Sequence, residues 1–339
     1  MLVTPLVQHS TARDILSRSI TEDFSRMDPP DTSIRLPKVG LIGVGLMGHG
    51  LGKNLIDAGF PLAIVAHRRR DRVEDLLERG ASESSSILHL AKQSDIVIGC
   101  LPSMQAIESV FPEVIGSIRP GATLIDCSTT DPTTTARLGA EATQRNVDMI
   151  DAPMLSGPDE AWEGSITLLV GGTDDVILKC RPVFDAVAGK VIHIGQLGSA
   201  HTVKLLNNAI TMSTTALLSE VFALGAKKQV DLRQLYDILC SGYAASPRLI
   251  DLGRRVLEDD HDVAVAIDVC LKDISLYNKL AADAGTLTFV GQAARNAFLL
   301  ATQLGHGEQN FSRMPQVLAA LSGSNLEIAA STTADDTKN

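Results

Sequence analysis

From Lys38 to about Gly198 the sequence alternates between short, β-branched apolar runs and amphipathic stretches of helical spacing. KVGLIGVG leads into LMGHGLGKNLIDAG, PLAIVAH into RVEDLLERG, and DIVIGCLP into MQAIESVFPEVIG; ATLIDCS, VDMIDAPM, SITLLVGG and KVIHIG continue the series. Strands separated by helices cannot pair as tight hairpins, so this order predicts βαβ units and a mainly parallel sheet. After Gly198 the strand signal stops. TVKLLNNAITMSTTALLSEVFALGAKKQ has the length of one helix of more than twenty residues, and only helical patterns follow it. The chain of 339 residues is therefore expected to hold an α/β domain over 37–198 and an all-helical domain over 199–327, joined by the long helix. Residues 1–36, which end in the breaker DPPDTS, and the polar tail 328–339 are expected to be extensions without a core of their own.

Composition excludes several classes. Hydrophobic residues make up 45 % of the chain, enough for ordinary cores, while aromatics are only 4 %, so those cores are mostly Leu, Val, Ile and Ala. A net charge of −10 is the wrong sign for a nucleic-acid-binding face. The five cysteines are odd in number and lack C-x-x-C spacing, which gives neither a disulfide framework nor a metal site and fits a reducing compartment. No apolar stretch free of polar groups reaches the roughly 18 residues a membrane span needs. Five acids among residues 1–36 argue against an organellar transit peptide, so the expected location is the cytoplasm, or an organellar matrix if that segment is nevertheless a targeting signal.

GVGLMG sets Gly43, Gly45 and Gly48 in G-x-G-x-x-G spacing with Leu46 and Met47 between them. That spacing alone is weak. Here it follows an apolar strand and opens a helix, the context in which the glycines have separate tasks: a tight turn, close approach to a pyrophosphate, and close helix–strand packing. A Rossmann-type dinucleotide site is the expectation. At the end of the second strand a cofactor lacking a 2′-phosphate usually meets an Asp or Glu; this chain has His67, Arg68, Arg69 and Arg70. A guanidinium can grip a 2′-phosphate bidentately where a carboxylate would repel it, which favours NADP and leaves NAD possible. One or two of these arginines equally fit the solvated start of the next helix.

GQLGSAHTVKLLNNAI carries Lys204, Asn207 and Asn208 inside an apolar run. Lys204 and Asn208 are four apart and share one helix face. A buried ammonium gives up its proton more readily near neutrality and suits acid–base work. The same spacing also fits a lysine that snorkels to solvent beside a neighbouring asparagine.

Six segments taken in order, GLIGVGLMGHGLGKNLIDAG, CLP, DCSTTDP, DAPMLSGPDEAWEGSITLLVGG, GQLGSAHTVKLLNNAI and LKDISL, resemble the β-hydroxyacid dehydrogenase family from about Lys38 to Phe311. The resemblance implies a hydride-transferring oxidoreductase for small 3-hydroxy acids or aldehyde acids, dimeric or tetrameric. It implies Lys204 as the general acid/base, Asn208 as the residue orienting the substrate, and Lys272, followed by Asp273, near nicotinamide and substrate. Leu101 and Pro102 match the family's cofactor-facing loop, Thr129 its S-T position, and Arg68 the arginine that reads the 2′-phosphate, with His67 in place of the usual asparagine.

One loop departs from the pattern. The family's D-A-P-V-S-G-G holds the substrate carboxylate; here DAPMLSGP puts Leu155 at the serine position and Ser156 one place later, before Gly157. Either Ser156 and Gly157 take over the anion, or the loop receives another head group, with Leu155 facing an apolar substituent or only packing at the loop tip. Two other classes share such a scaffold: imine reductases and non-catalytic dinucleotide-binding modules. Both tend to lack the lysine, and a basic nucleic-acid-binding arm is missing here as well.

Overall fold

The computed structural model describes residues 35–66 and 70–326. From Pro37 on, the described residues form one compact unit. Its centre is one eight-stranded sheet ordered β3-β2-β1-β4-β5-β6-β7-β8. The strands are β1 Val39–Ile42, β2 Leu62–Val65, β3 Ser82–Glu83, β4 Ile96–Gly99, β5 Thr123–Asp126, β6 Asp148–Asp151, β7 Ile166–Gly171 and β8 Ala188–Gly195. All neighbours pair in parallel except β6 and β7, which meet antiparallel at Asp151 and Gly171. VGLI, IVIG and TLID are buried along their whole length, as central parallel strands covered on both faces must be.

The crossovers are α1 Leu46–Asp57, α2 Arg70–Glu78, α3 Ile87–Gln93, α4 Met104–Ser117, α5 Pro132–Thr143, α6 Pro158–Glu163 and α7 Asp174–Val187. Their starts follow local chemistry. Ser86 accepts from His89 N, Ser103 from Ala106 N and Asp131 from Thr133 N, each satisfying an amide that the helix cannot pair itself. The strand order reverses direction at β1: the chain leaves toward β2 and β3, then returns to β4 on the other side. Ligand crevices in open α/β sheets form at that switch, outside the carboxyl ends of the strands.

α8 Ser199–Lys227 follows β8 after a short turn and begins the helical half, completed by α9 Leu232–Ser241, α10 Pro247–Leu257, α11 Ile267–Asp283, α12 Phe289–Ala301 and α13 Met314–Leu321. A π turn at Thr302–His306, with Gly305 at φ +90°, ends α12 earlier than the apolar pattern suggests. By length and composition α8 could cross a membrane, which the count of wholly apolar residues did not predict. Half of its apolar window is nonetheless buried inside the protein: Ala209, Met212, Ala216, Leu218 and Phe222 share a core with α10, α11 and α12. α8 also lies against β7 and β8, so the helix that leads the second half is seated on the sheet of the first.

Candidate active site

The glycine loop shows three environments that match its three tasks. Gly43 has φ +99°, and a Cβ there would stand 2.2 Å from the Cys100 carbonyl oxygen, so only glycine makes the turn. A Cβ on Gly48 would stand 2.0 Å from the Gly43 carbonyl oxygen; its absence lets α1 close onto the turn. Gly45 differs from both, because a Cβ there would meet no protein atom within 4 Å. Among the described residues nothing excludes a side chain at Gly45, and the open space is where a pyrophosphate would lie. Gly45 and Leu46 are exposed and Met47 is half-buried at the start of α1, whose first turn has no side-chain cap. These residues fit a dinucleotide, held by backbone amides at a helix N-terminus.

The remaining walls come from the ends of β4 and β5. Leu101 is buried and donates its N–H to Ser128 Oγ at 2.9 Å, while Pro102 is exposed beside it. Thr129 is half-buried, and its carbonyl accepts from Lys272 Nζ at 3.1 Å. His67 and Arg68 lie outside the described residues. Arg70 opens α2 and forks onto Glu83 of β3 at 2.7 and 3.3 Å, so this arginine ties the helix start to that strand.

Lys204, Asn208 and Lys272 come together with Asp273. Lys204 is half-buried, and its ammonium donates to the Met154 carbonyl oxygen at 2.6 Å. Desolvation pulls the Lys204 pKa below its ordinary value; Asp273 opposes that shift and Lys272 adds to it. The amine therefore does not snorkel freely into solvent. Asn208 is buried and donates to Asp273 Oδ2 at 2.7 Å, while its own carbonyl accepts from Asn207 Nδ2 at 3.2 Å. Lys272 Nζ stands 2.9 Å from Asp273 Oδ1, yet that oxygen receives no well-directed hydrogen bond, so the pair is held by charge rather than by a shared proton.

The loop after β6 carries the departure noted in the sequence. Leu155 is exposed, and its N–H is committed to Thr167 O at 2.9 Å. Ser156 Oγ accepts from Thr167 N at 3.0 Å, which fixes the oxygen and leaves its O–H free to donate. Gly157 N–H is engaged differently from the expected anion contact: it donates to Glu160 Oε2 at 2.9 Å.

Three buried polar residues escaped the sequence reading of the site: Asp126, Asp151 and His201 have no exposed surface. Asp273, noted there only as the neighbour of Lys272, is buried at the centre of the lysine cluster. A signal existed for the first two, since each is an acid closing an apolar strand that ends at the ligand edge of the sheet.

Two domain families match consecutive parts of the chain. Residues 38–195 match the domain family described as the NAD binding domain of 6-phosphogluconate dehydrogenase. Residues 198–318 match the one described as NAD-binding of NADP-dependent 3-hydroxyisobutyrate dehydrogenase. The chain belongs to the β-hydroxyacid dehydrogenase family. Among its relatives, an NAD-dependent L-serine dehydrogenase of Pseudomonas aeruginosa is 28 % identical over 82 % of this chain and 96 % of that protein. An L-threonate dehydrogenase of Cupriavidus necator is 26 % identical, covering 84 % and 96 %. The crystal structure of 3-hydroxyisobutyrate dehydrogenase from Salmonella typhimurium superposes with a TM-score of 0.76 at 25 % identity, over 83 % of this chain and 99 % of that one. The protein is thus an NAD(P)-dependent dehydrogenase acting on CH–OH groups, of the 3-hydroxyisobutyrate dehydrogenase type.

Proposed function

We propose that this dehydrogenase moves a hydride between NADP(H) and a small 3-hydroxy acid or its aldehyde acid, with Lys204 as general acid/base. The supporting observation is a desolvated ammonium tied to one backbone carbonyl, with a buried Asn208 one turn away on the same face. When bound, the nicotinamide supplies or takes the hydride. Lys204 has three N–H bonds and gives one to Met154 O, leaving two for a substrate oxygen. In the alcohol-forming direction it protonates the nascent alkoxide; in the reverse direction its neutral form takes the hydroxyl proton. Asn208 spends one amide proton on Asp273 and presents the other to the same oxygen. Lys272, anchored on Thr129 O, and the free O–H of Ser156 would receive the acid group. NADP is favoured by Arg68, and a homodimer or homotetramer by the exposed apolar stripe Leu206, Ile210, Leu217 and Leu224 along α8. Unpaired thiols are compatible with a cytoplasmic location.

The test is NADPH and NADH oxidation, followed by absorbance, across a panel of small aldehyde acids. Turnover of at least one aldehyde acid with a preference for NADPH is expected. Turnover confined to imines would defeat the substrate class, and a strong preference for NADH would defeat the cofactor assignment.

A further inference from the structure

α8 has to present Lys204 at one rotation, yet its own sequence supplies nothing to fix its start. Its N-cap is Gly198, at φ +92°, with no side chain, and its first turn holds no acid. The cap comes from elsewhere. Asp151, the last residue of β6, accepts Gly198 N–H on Oδ1 and His201 N–H on Oδ2, both at 2.8 Å. These are the N-cap and N3 amides, the pair that a capping box satisfies from within a helix, and here one remote carboxylate takes both. Room for it is made by Gly171, its antiparallel partner on β7, where a Cβ would stand 2.3 Å from Asp151 Oδ1.

The same two segments meet again one turn later. Three residues after Asp151, Met154 O takes the Lys204 ammonium, and Lys204 is three residues after His201. Strand end and helix start are therefore pinned at two points. One of them is fully buried and built from two hydrogen bonds to a charge, the stronger kind. His201 extends the clamp to the cofactor side. Its ring, without exposed surface, bonds Thr135 Oγ1 at 2.8 Å and the Ser128 carbonyl at 3.2 Å. Ser128 Oγ in turn holds Leu101 N, and the next carbonyl, that of Thr129, holds Lys272.

We propose that Asp151 is the positioning residue of this active site: it caps α8 from the sheet and thereby sets the rotation at which Lys204 meets the reacting oxygen. The proposal rests on Lys204 as the proton carrier. An error of about 1 Å in placing such a group costs on the order of 100-fold in rate.

Asp151→Asn leaves one acceptor and sets an amide N–H against a backbone N–H. It is expected to lower kcat about 100-fold while KM for NADPH stays within twofold. Gly171→Ala keeps the carboxylate but pushes on it, and should give the same split; it carries the comparison if Asp151→Asn does not accumulate folded. In a Lys204→Met background, Asp151→Asn should add no further loss, because there is no longer an amine to place. Loss of kcat and of NADPH affinity by equal factors, a further full loss in the double variant, or native-like kcat in either single variant would overturn the proposal. If Lys204→Met itself keeps its turnover, the proton-carrier assignment fails; if Lys204→Met is inactive and Asp151→Asn is native-like, only the positioning role fails.

Discussion

Lys204→Met is the most informative single change, because it keeps an unbranched apolar chain of similar length, with sulfur in place of Cδ, and removes the ammonium. General acid–base catalysis by a positioned side chain contributes about 10²–10⁴-fold, or roughly 3–5 kcal/mol of barrier, and kcat should fall by that factor. Cofactor affinity should not follow, since the glycine loop turns at the end of β1 against Cys100, whereas the Lys204 ammonium is bonded to Met154 O beyond β6. Stability should move little. The variant loses one charge-assisted hydrogen bond to Met154 O, worth about 1.5–3 kcal/mol net, and is relieved of a desolvated charge that opposes it. The sign of the pH dependence follows from the lowered pKa. The folded state binds this proton less tightly than the unfolded chain does. The lysine's contribution therefore becomes more favourable as pH rises from the depressed folded value toward the ordinary 10.5, and the methionine variant lacks that gain. Activity reads the same group: in the reducing direction kcat/KM should fall with rising pH through a value below 10.5, and this limb should vanish in the variant. Lys204→Arg separates charge from proton transfer, because a guanidinium can still bond Met154 O but does not release its proton. Stopped-flow hydride transfer with both variants, beside NADPH titration by fluorescence, is the assay. An arginine variant within tenfold of the native rate would refute proton transfer by Lys204 and leave it an electrostatic role only.

Two further predictions concern the loops. Gly45→Ala should fold with a native melting temperature yet bind NADPH at least about tenfold more weakly, since its methyl group meets only the space left for a pyrophosphate. Gly48→Ala, with a Cβ 2.0 Å from a backbone oxygen, should instead lose about 1–3 kcal/mol of stability in chemical denaturation; equal behaviour of the two would contradict the division of tasks. Glu160→Gln removes a negative charge from the amide of Gly157 and should lower KM for carboxylate substrates about fivefold, a gain of about 1 kcal/mol, at constant kcat. Initial rates against an acid and its neutral ester decide this, and an equal change for both would place Glu160 away from the substrate's acid group.

What could be read from the sequence, and what could not, divides along a physical line. Period and punctuation are local properties, and the mainly parallel sheet followed from them: apolar runs such as VGLI and IVIG, each between turn residues, read as inner parallel strands. The two-residue β3 was missed because Ser82 and Glu83 have no apolar face, and they pair only because Ala63 and Ile64 offer an edge. In the site, Lys204 and Asn208 were visible because they contradict their surroundings and lie one turn apart. Asp151 and His201 contradict theirs no less, but each makes sense only when the other is close, and fifty residues separate them along the chain. No spacing rule links a strand end to a helix start across two intervening strands' worth of chain. Gly198 was legible as a break and silent as a cap, since the absence of a side chain says that amides are exposed without saying what meets them. The sequence pattern thus reveals groups that do chemistry by being out of place, whereas groups that hold them in place emerge only when the sheet brings a carboxylate to the helix that lacks one.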